Sequence, residues 1–283
     1  MYKSGLILEG GAMRGMFTAG VLDVFIEKDI TFDGTVGVSA GATFGCNIKS
    51  GQAGRTLRYN MRFAKDARYG SLRSLITTGD YYNEDFCYRR VPDELDPFDQ
   101  EAFAENPMAF YVVATRVDTG RPAYRRLTDC GRRDLQWIQA SASMPVFANP
   151  VEIDGHAYLD GGISDSIPLR FMEHLGYTKN VVVLTRPDGY RKSISRLQPL
   201  MDRLLDDYPA IAKAMRRRPV VYNRTLDYIR EKEAAGEIFV IRPPMALPVG
   251  RLEHDPEKMK AAWEIGVNTA RNCLPEMQNF LQK

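Results

Sequence analysis

Leu8-Glu9-Gly10-Gly11-Ala12-Met13-Arg14-Gly15-Met16 and, further on, Gly37-Val38-Ser39-Ala40-Gly41 are the two stretches that decide how this chain is read. Each follows a short apolar run, Gly5 to Leu8 and then Thr35 to Val38, that reads as a buried strand. Each opens onto a helical pattern. Met16, Phe17, Val21, Val24 and Phe25 recur at helical spacing, and residues 40–49 predict a second helix. Strand, glycine turn, helix, strand, glycine turn, helix is the grammar of a parallel sheet with crossovers. The expected fold is α/β, with three layers: a mostly parallel central sheet and helices on both faces. A glycine-rich turn can offer backbone N–H groups to an anion, and a serine between glycines at a strand-to-helix turn can attack. Two such turns side by side supply both halves of an acyl-transfer site.

Outward from that core, residues 54–107 are rich in Arg, Tyr and Asp and predict helices alternating with loops, suited to a cap or an insertion. Phe110 to Val117 is a strong strand, with Arg121 to Thr128 as an antiparallel neighbour. Arg133 to Ser143 reads as a helix ending before Pro145. Val151 to Ile153 and His156 to Leu159 flank Asp154-Gly155, which suits a type I′ hairpin turn. Asn180 to Thr185 is β-branched and predicts a central parallel strand. Residues 194–235 read as helical, 238–241 as a last strand stopped by Pro243-Pro244, and 257–272 as a closing helix. No repeat, low-complexity tract or linker divides the chain. The reading is one domain over residues 1–283, with 54–107 as cap or insertion and 190–283 as a C-terminal helical region.

The 283 residues are 44% hydrophobic and 26% charged, an ordinary globular composition, and the net charge of +2 gives no field that argues for nucleic acid. Arg216-Arg217-Arg218 reads as a solvated helix face. Cys46, Cys87, Cys130 and Cys273 lie far apart without a C-x-x-C, which argues against a disulfide framework or a zinc site and for a reducing, cytoplasmic setting. The first residues do not read as a signal peptide, and no stretch reaches the roughly 18 apolar residues of a membrane span. No acidic loop of calcium-ligand spacing is present.

Taken alone, Gly37-x-Ser39-x-Gly41 is weak: a random chain of this length contains the pattern with a probability of about 0.1. Its position between an apolar strand and a helix start strengthens it. There Ser39 is either a nucleophile helped by the helix terminus or an ordinary helix cap. Gly10 to Gly15 approaches G-x-G-x-x-G, but Ala12 stands at the second glycine and Ser39 where an acidic residue should end the second strand, which argues against a dinucleotide. An oxyanion hole tolerates Ala12, since only backbone N–H groups are needed. Arg14, followed by Gly15, either ties the loop to carbonyls or meets substrate. The favoured base is Asp160 in Leu159-Asp160-Gly161-Gly162, at a tight turn; an Asx-turn is its plain alternative. His156 on the same hairpin is expected to support that turn. His174 reads as structural, and His254 would be the base only in a Ser, Asp, His order.

These blocks resemble the patatin-like phospholipase family. The Gly10 to Gly15 loop is similar to its oxyanion loop, where glycine is frequent at the position of Ala12. Gly37 to Gly41 is similar to its nucleophile elbow, and Asp160-Gly161-Gly162 to its aspartate block. Ala140-Ser-Ala-Ser-Met-Pro-Val-Phe147 is similar to the serine-rich block before that aspartate. Four blocks in the family's order across residues 5–162 are far more specific than any one, and the segment from Ile241 resembles compact bacterial members. The resemblance implies a serine lipid acyl hydrolase of phospholipase A, lysophospholipase or carboxylesterase type. It implies a Ser39–Asp160 dyad without histidine, an acyl-enzyme, an oxyanion hole at Gly11 and Ala12, and no metal or cofactor. Two other readings stand beside it: a non-catalytic lipid-binding protein using the same pocket, and a nucleotide-binding oxidoreductase. The expected partner is a lipid or small ester, not nucleic acid. Tyr59, Met61, Phe63, Tyr69, Tyr81 and Tyr82, interleaved with Arg58, Arg62 and Arg68, form either an entrance that touches an anionic membrane surface or a cap with a buried aromatic face. The sequence leaves head-group preference, acyl position and oligomeric state open.

Overall fold

Leu6, Ile7 and Leu8 follow one another in β1 (Ser4–Leu8), and none exposes any surface. A strand that is apolar on both faces must be covered on both, which is the condition inside a parallel sheet. The computed structural model describes residues 2–195 and 197–282. After β1 come α1 (Gly15–Glu27), β2 (Gly34–Val38), α2 (Ala40–Ser50), α3 (Arg55–Phe63), α4 (Leu72–Thr78), a π-helix (Phe86–Leu95), α5 (Gln100–Glu105), β3 (Ala109–Arg116) and β4 (Pro122–Leu127). Then follow α6 (Arg132–Ala142), β5 (Val151–Ile153), β6 (His156–Asp160), α7 (Leu169–His174), β7 (Lys179–Val183), α8 (Gln198–Leu204), α9 (Pro209–Ala234), β8 (Ile238–Ile241) and α10 (Pro256–Gln282).

The sheet order is β5-β6-β3-β2-β1-β7-β8, with β4 on β3. Strands β3, β2, β1, β7 and β8 are parallel, whereas β4 and β6 run antiparallel to β3. The β5–β6 hairpin turns through Asp154 at φ 52° and Gly155 at φ 76°, the two left-handed residues a type I′ turn requires. Leu6 and Leu8 pack with Phe17 and Val21 of α1 and Val267 of α10. Ile7 packs on the opposite face with Leu226 and Ile229 of α9. The expected three-layer α/β arrangement is therefore present, each face of the sheet covered by its own helices.

Two features of this topology position the site. Strands β1, β2 and β3 step in one direction across the sheet, and β7 and β8 return on the other side of β1. That reversal opens a crevice at the carboxyl ends of β1 and β7, where open α/β sheets take ligands. The second feature is at β3. Its residues Val113 and Ala114 pair with Tyr124 and Ala123 of β4, so β4 occupies one edge. The same two residues pair with Val38 of β2 and Asp160 of β6, which must therefore share the other edge.

The C-terminal helices differ from their sequence reading. The expected helix over 194–235 is two helices broken at residues 205–208, α9 restarting with Pro209 in its first turn, where proline's missing N–H costs nothing; residue 196 lies outside the described residues. The closing helix runs to Gln282, beyond the expected residue 272, because Met277 is buried past Pro275 and Phe280 and Leu281 pack against the core. α10 lies directly on α1. A Cβ on Gly20 would stand 2.1 Å from Trp263 O, and one on Gly266 2.1 Å from Phe17 O, so the two backbones cross at a contact only glycine allows. Trp263 Nε1 donates to Asp23 Oδ2 at 2.7 Å beside this crossing. Among the described residues no helix is long and apolar enough to cross a membrane.

Within residues 54–107, Tyr59, Phe63, Tyr69 and Phe86 are buried and meet one another mostly edge-on, at centroid distances from 5.2 to 6.4 Å. Tyr81 is buried as well. These rings form the inner face of the 54–107 segment, not a surface entrance; Arg58, Arg62 and Arg68 are the exposed members of the stretch.

Candidate active site

Ser39 follows β2 and precedes α2 with φ 54° and ψ −122°. A non-glycine residue held there costs on the order of 1–3 kcal/mol, and such strain persists only where surrounding structure enforces it. The flanking glycines show what enforces it. A Cβ on Gly37 would stand 2.4 Å from Gly41 O, and one on Gly41 2.5 Å from Leu8 O. The start of α2 is thus folded tightly over the strand ends, with Ser39 at the apex of the turn.

Its hydroxyl does not cap the helix, because no side-chain capping bond forms. Instead Ser39 Oγ donates to Asp160 Oδ2 at 2.7 Å. The second oxygen, Oδ1, accepts from Gly162 N at 2.7 Å. Both readings of Asp160 therefore coexist: one oxygen closes the Asx-turn, and the other holds the serine. Ser143 O accepts from Asp160 N at 2.8 Å, and Thr115 Oγ1 donates to Asp160 O at 2.8 Å, fixing the aspartate backbone on both sides. Asp160 is 5% exposed. Burial pushes its pKa above the usual carboxylate value, against the opposing pull of Ser39, Arg218, the Gly162 amide and Lys192.

The glycine loop presses on the serine from the other side. A Cβ on Gly10 would lie 3.2 Å from Ser39 Cβ. Ala12 sits at φ 49°, the left-handed region that glycine enters freely. Among the described residues the amides of Gly10, Gly11 and Ala12 donate to no protein group, whereas the next two, of Met13 and Arg14, bond to Arg251 O and Gly11 O. The N-terminus of α2 adds its partial positive charge at the same place. Arg14 does not tie the loop to carbonyls; its Nε is buried without a partner.

The histidines stand elsewhere. His254 is bonded through Nδ1 to Ala64 O at 2.7 Å and through Nε2 to the Tyr81 hydroxyl, so it links the 54–107 segment to the residues before α10 and makes no bond to Ser39. His156 does not support the Asp160 turn; it is exposed at the opposite end of β6, with Nδ1 3.3 Å from Arg116. His174 is exposed on α7.

Ser39 opens onto a cavity of about 120 Å³ whose walls are mostly apolar. Met13, Phe44, Tyr88, Val91, Ile138 and Met144 line it, drawn from the glycine loop, α2, the π-helix, α6 and the residues just after α6. Residues of the 54–107 segment thus form one wall of the chamber beside the serine.

Two contributors were not legible beforehand. Ser141 Oγ accepts from Ser39 N at 2.8 Å; the serine-rich block was visible in the sequence, but nothing there said which serine reaches the elbow. Arg218, expected on a solvated face with Arg216 and Arg217, turns inward, its Nη2 3.1 Å from where a Cβ on Gly162 would stand. A run of three arginines gave no signal that the third points the other way.

A family model described as patatin-like phospholipase matches residues 6–172, and one described as a domain of unknown function, DUF6363, matches residues 208–282. Uncharacterized protein YjjU of Escherichia coli (strain K12) is 30% identical over 256 residues, covering 87% of this chain and 70% of its own length. Lysophospholipase nte1 of Aspergillus terreus is 23% identical over 97% of this chain, which spans only 18% of that protein. Among solved structures, VipD from Legionella pneumophila aligns with a TM-score of 0.47 and 14% identity, covering 98% of this chain and 67% of its own. The patatin-like match takes in the end of β1, the glycine loop, the Ser39 turn and Asp160 together, over more than half of the chain. The chain belongs to the patatin-like phospholipase family of carboxylic ester hydrolases.

Proposed function

We propose that this protein is a serine acyl hydrolase that cleaves lipid or small carboxylic esters through a Ser39–Asp160 dyad and an acyl-enzyme. The observation that carries this reading is the 2.7 Å bond from Ser39 Oγ to Asp160 Oδ2 at a strained strand-to-helix turn. Ser39 Oγ attacks the ester carbonyl while Asp160 takes its proton. The free amides of Gly11 and Ala12, beside that of Gly10, meet the developing oxyanion; each such donor is worth about 3 kcal/mol of transition-state stabilisation. The alcohol leaves with the proton from Asp160. Water, deprotonated by the same carboxylate, then releases the acyl group. A solvated carboxylate is a poor base for an alcohol, and the burial of Asp160 is the tuning this step needs. The apolar cavity beside Ser39 suits an acyl chain. Contact with a membrane surface would be peripheral, through exposed apolar side chains such as Leu72 and Ile76.

The test is the intact mass after reaction with a fluorophosphonate, for the wild type and Ser39→Ala. One adduct on the wild type and none on the variant is expected. A folded wild type that stays unlabelled, alone and with lipid micelles, while binding lipid would instead support the non-catalytic reading.

A further inference from the structure

Five cationic side chains, Arg14, Arg186, Lys192, Arg218 and Arg251, neighbour one another about the crevice at the carboxyl ends of β1 and β7, close enough to feel one another's charge; Arg251 is exposed and the other four are partly covered. Among the described residues none of the five has an ion-pair partner, and no side chain of the five donates a hydrogen bond to a protein acceptor. The contrast with their sequence neighbours is direct: Arg191 pairs with Asp227 and Arg216 with Asp202. The Nε atoms of Arg14 and Arg218 are buried and unpartnered. Leaving a buried cation unpaired is costly.

The carboxylate in their midst is already engaged. Glu9 Oε2 accepts from Thr185 N at 2.6 Å and Thr185 Oγ1 at 3.1 Å, and Oε1 accepts from the Tyr222 hydroxyl at 2.6 Å. Two tyrosine rings hold the cations in place while leaving their N–H groups free: Arg186 lies over Tyr190 at 4.4 Å and Lys192 over Tyr222 at 4.0 Å. The cluster reaches the reacting centre. Around Gly162, Asp160 Oδ1 and Arg218 Nη2 lie 3.0 and 3.1 Å from the site of a Cβ. Arg251 O accepts from Met13 N in the glycine loop. None of the five lines the apolar cavity.

We propose that this crevice is a phosphate-anion subsite, formed by Arg14, Arg186, Lys192, Arg218 and Arg251, which takes the phosphate of an acyl ester and disfavours neutral or zwitterionic counterparts. The inference rests on the acyl-hydrolase reading for the reaction and names the substrate class. Ser39 then stands between two unlike surroundings, an apolar chamber for the chain and a cationic crevice for the head group. A quaternary ammonium would meet the same five cations, so a choline ester fits worse than a phosphate without one. Mutual repulsion agrees with a missing anion. Burial, then Arg218, holds the Lys192 pKa down to about 7, and burial, then Arg186, holds Arg14 down to about 10. All but Arg14 lie beyond residue 172, outside the patatin-like match.

The experiment compares kcat/KM for 1-acylglycerol phosphate, for the monoacylglycerol of the same chain and for the corresponding phosphocholine ester. It uses the wild type and the double variant Arg186→Gln/Arg251→Gln. The ratio within each protein is read, so a general loss of activity cancels. The wild type is expected to favour the phosphate ester over both others by about tenfold or more, the scale of one charge-assisted contact, and the double variant to lose most of that ratio. A thermal shift with inorganic phosphate, present in the wild type and absent from the double variant, supports the anion site without any variant activity. If that shift appears while the substrate ratios stay near one, the anion is free phosphate and not a head group. Ratios near one without a phosphate shift overturn the proposal, as does a ratio retained in the double variant. If Ser39-dependent hydrolysis is absent for every ester, the acyl-hydrolase reading fails, and the phosphate shift still decides whether the crevice binds an anion.

Discussion

Ser39 and Asp160 meet because β2 and β6 end against each other on one edge of β3. Val38 pairs with Val113 and Asp160 with Ala114, the next residue along. One strand arrives parallel and the other antiparallel, so the residue that ends each points at the same spot. Two side chains 121 residues apart are thereby held at 2.7 Å by backbone ladders rather than by flexible loops.

Removal of either member should separate catalysis from stability. Ser39→Ala and Asp160→Asn are each expected to lower kcat for p-nitrophenyl butyrate by about 10²–10⁴-fold or more. Retention of near-normal turnover by either variant sinks the dyad. Because folding raises the Asp160 pKa, the stability linked to its protonated form is present below the unfolded value and is lost as pH rises through the folded one. Asp160→Asn cannot ionise, so at neutral pH its unfolding midpoint should equal or exceed that of the wild type.

The pH profile should carry the same signature. Asp160 must be ionised to act as a base, so kcat/KM falls as pH drops through its folded pKa, which lies above the ordinary 3.8. Arg218 favours the ionised form. Arg218→Gln should therefore move the acid limb to higher pH, where a merely structural residue would lower the plateau without moving the limb. A limb at or below the ordinary carboxylate value contradicts the assignment.

Ser141 is expected to act as a positioning residue. Ser141→Ala leaves the buried Ser39 N–H without its acceptor, at a cost of about 1–3 kcal/mol. Urea unfolding should show the loss, and kcat should fall more than KM changes, since the strained turn loosens while the cavity stays. Unchanged kcat in a destabilised protein would limit Ser141 to the fold.

Ala12 occupies a left-handed position at φ 49°. Ala12→Gly should keep activity and fold at least as well, because glycine removes about 1 kcal/mol of local strain. Ala12→Val, branched at Cβ where φ is positive, should lose both activity and stability. Equal behaviour of the two variants in hydrolysis and thermal unfolding would refute the strained loop.

The α1–α10 crossing predicts a stability effect far from the serine. Gly20→Ala or Gly266→Ala places a Cβ 2.1 Å from a carbonyl oxygen of the other helix. Each should cost about 1–3 kcal/mol or more in chemical unfolding, with fluorophosphonate labelling retained in the folded fraction. A cost below about 0.5 kcal/mol, the scale of ordinary surface changes, would mean that the helices separate easily.

The sequence by itself determined the local grammar: Gly37 and Gly41 force a tight turn around Ser39, Asp154-Gly155 forces a type I′ hairpin, and Leu6-Ile7-Leu8 demands cover on both faces. These follow from steric limits and strand periodicity, which act over a few residues. It also put Asp160 at a turn with glycines behind it. Only the tertiary structure decided that Asp160 reaches Ser39, since that depends on two strands sharing one edge of β3. Only it turned Arg218 inward from a run of like residues, engaged His254 with Tyr81, and drew the aromatic rings of residues 59–86 into the interior. Burial and pairing at those positions depend on neighbours far along the chain. A single residue type carries the same charge or ring wherever it stands, and only its surroundings decide what that charge meets.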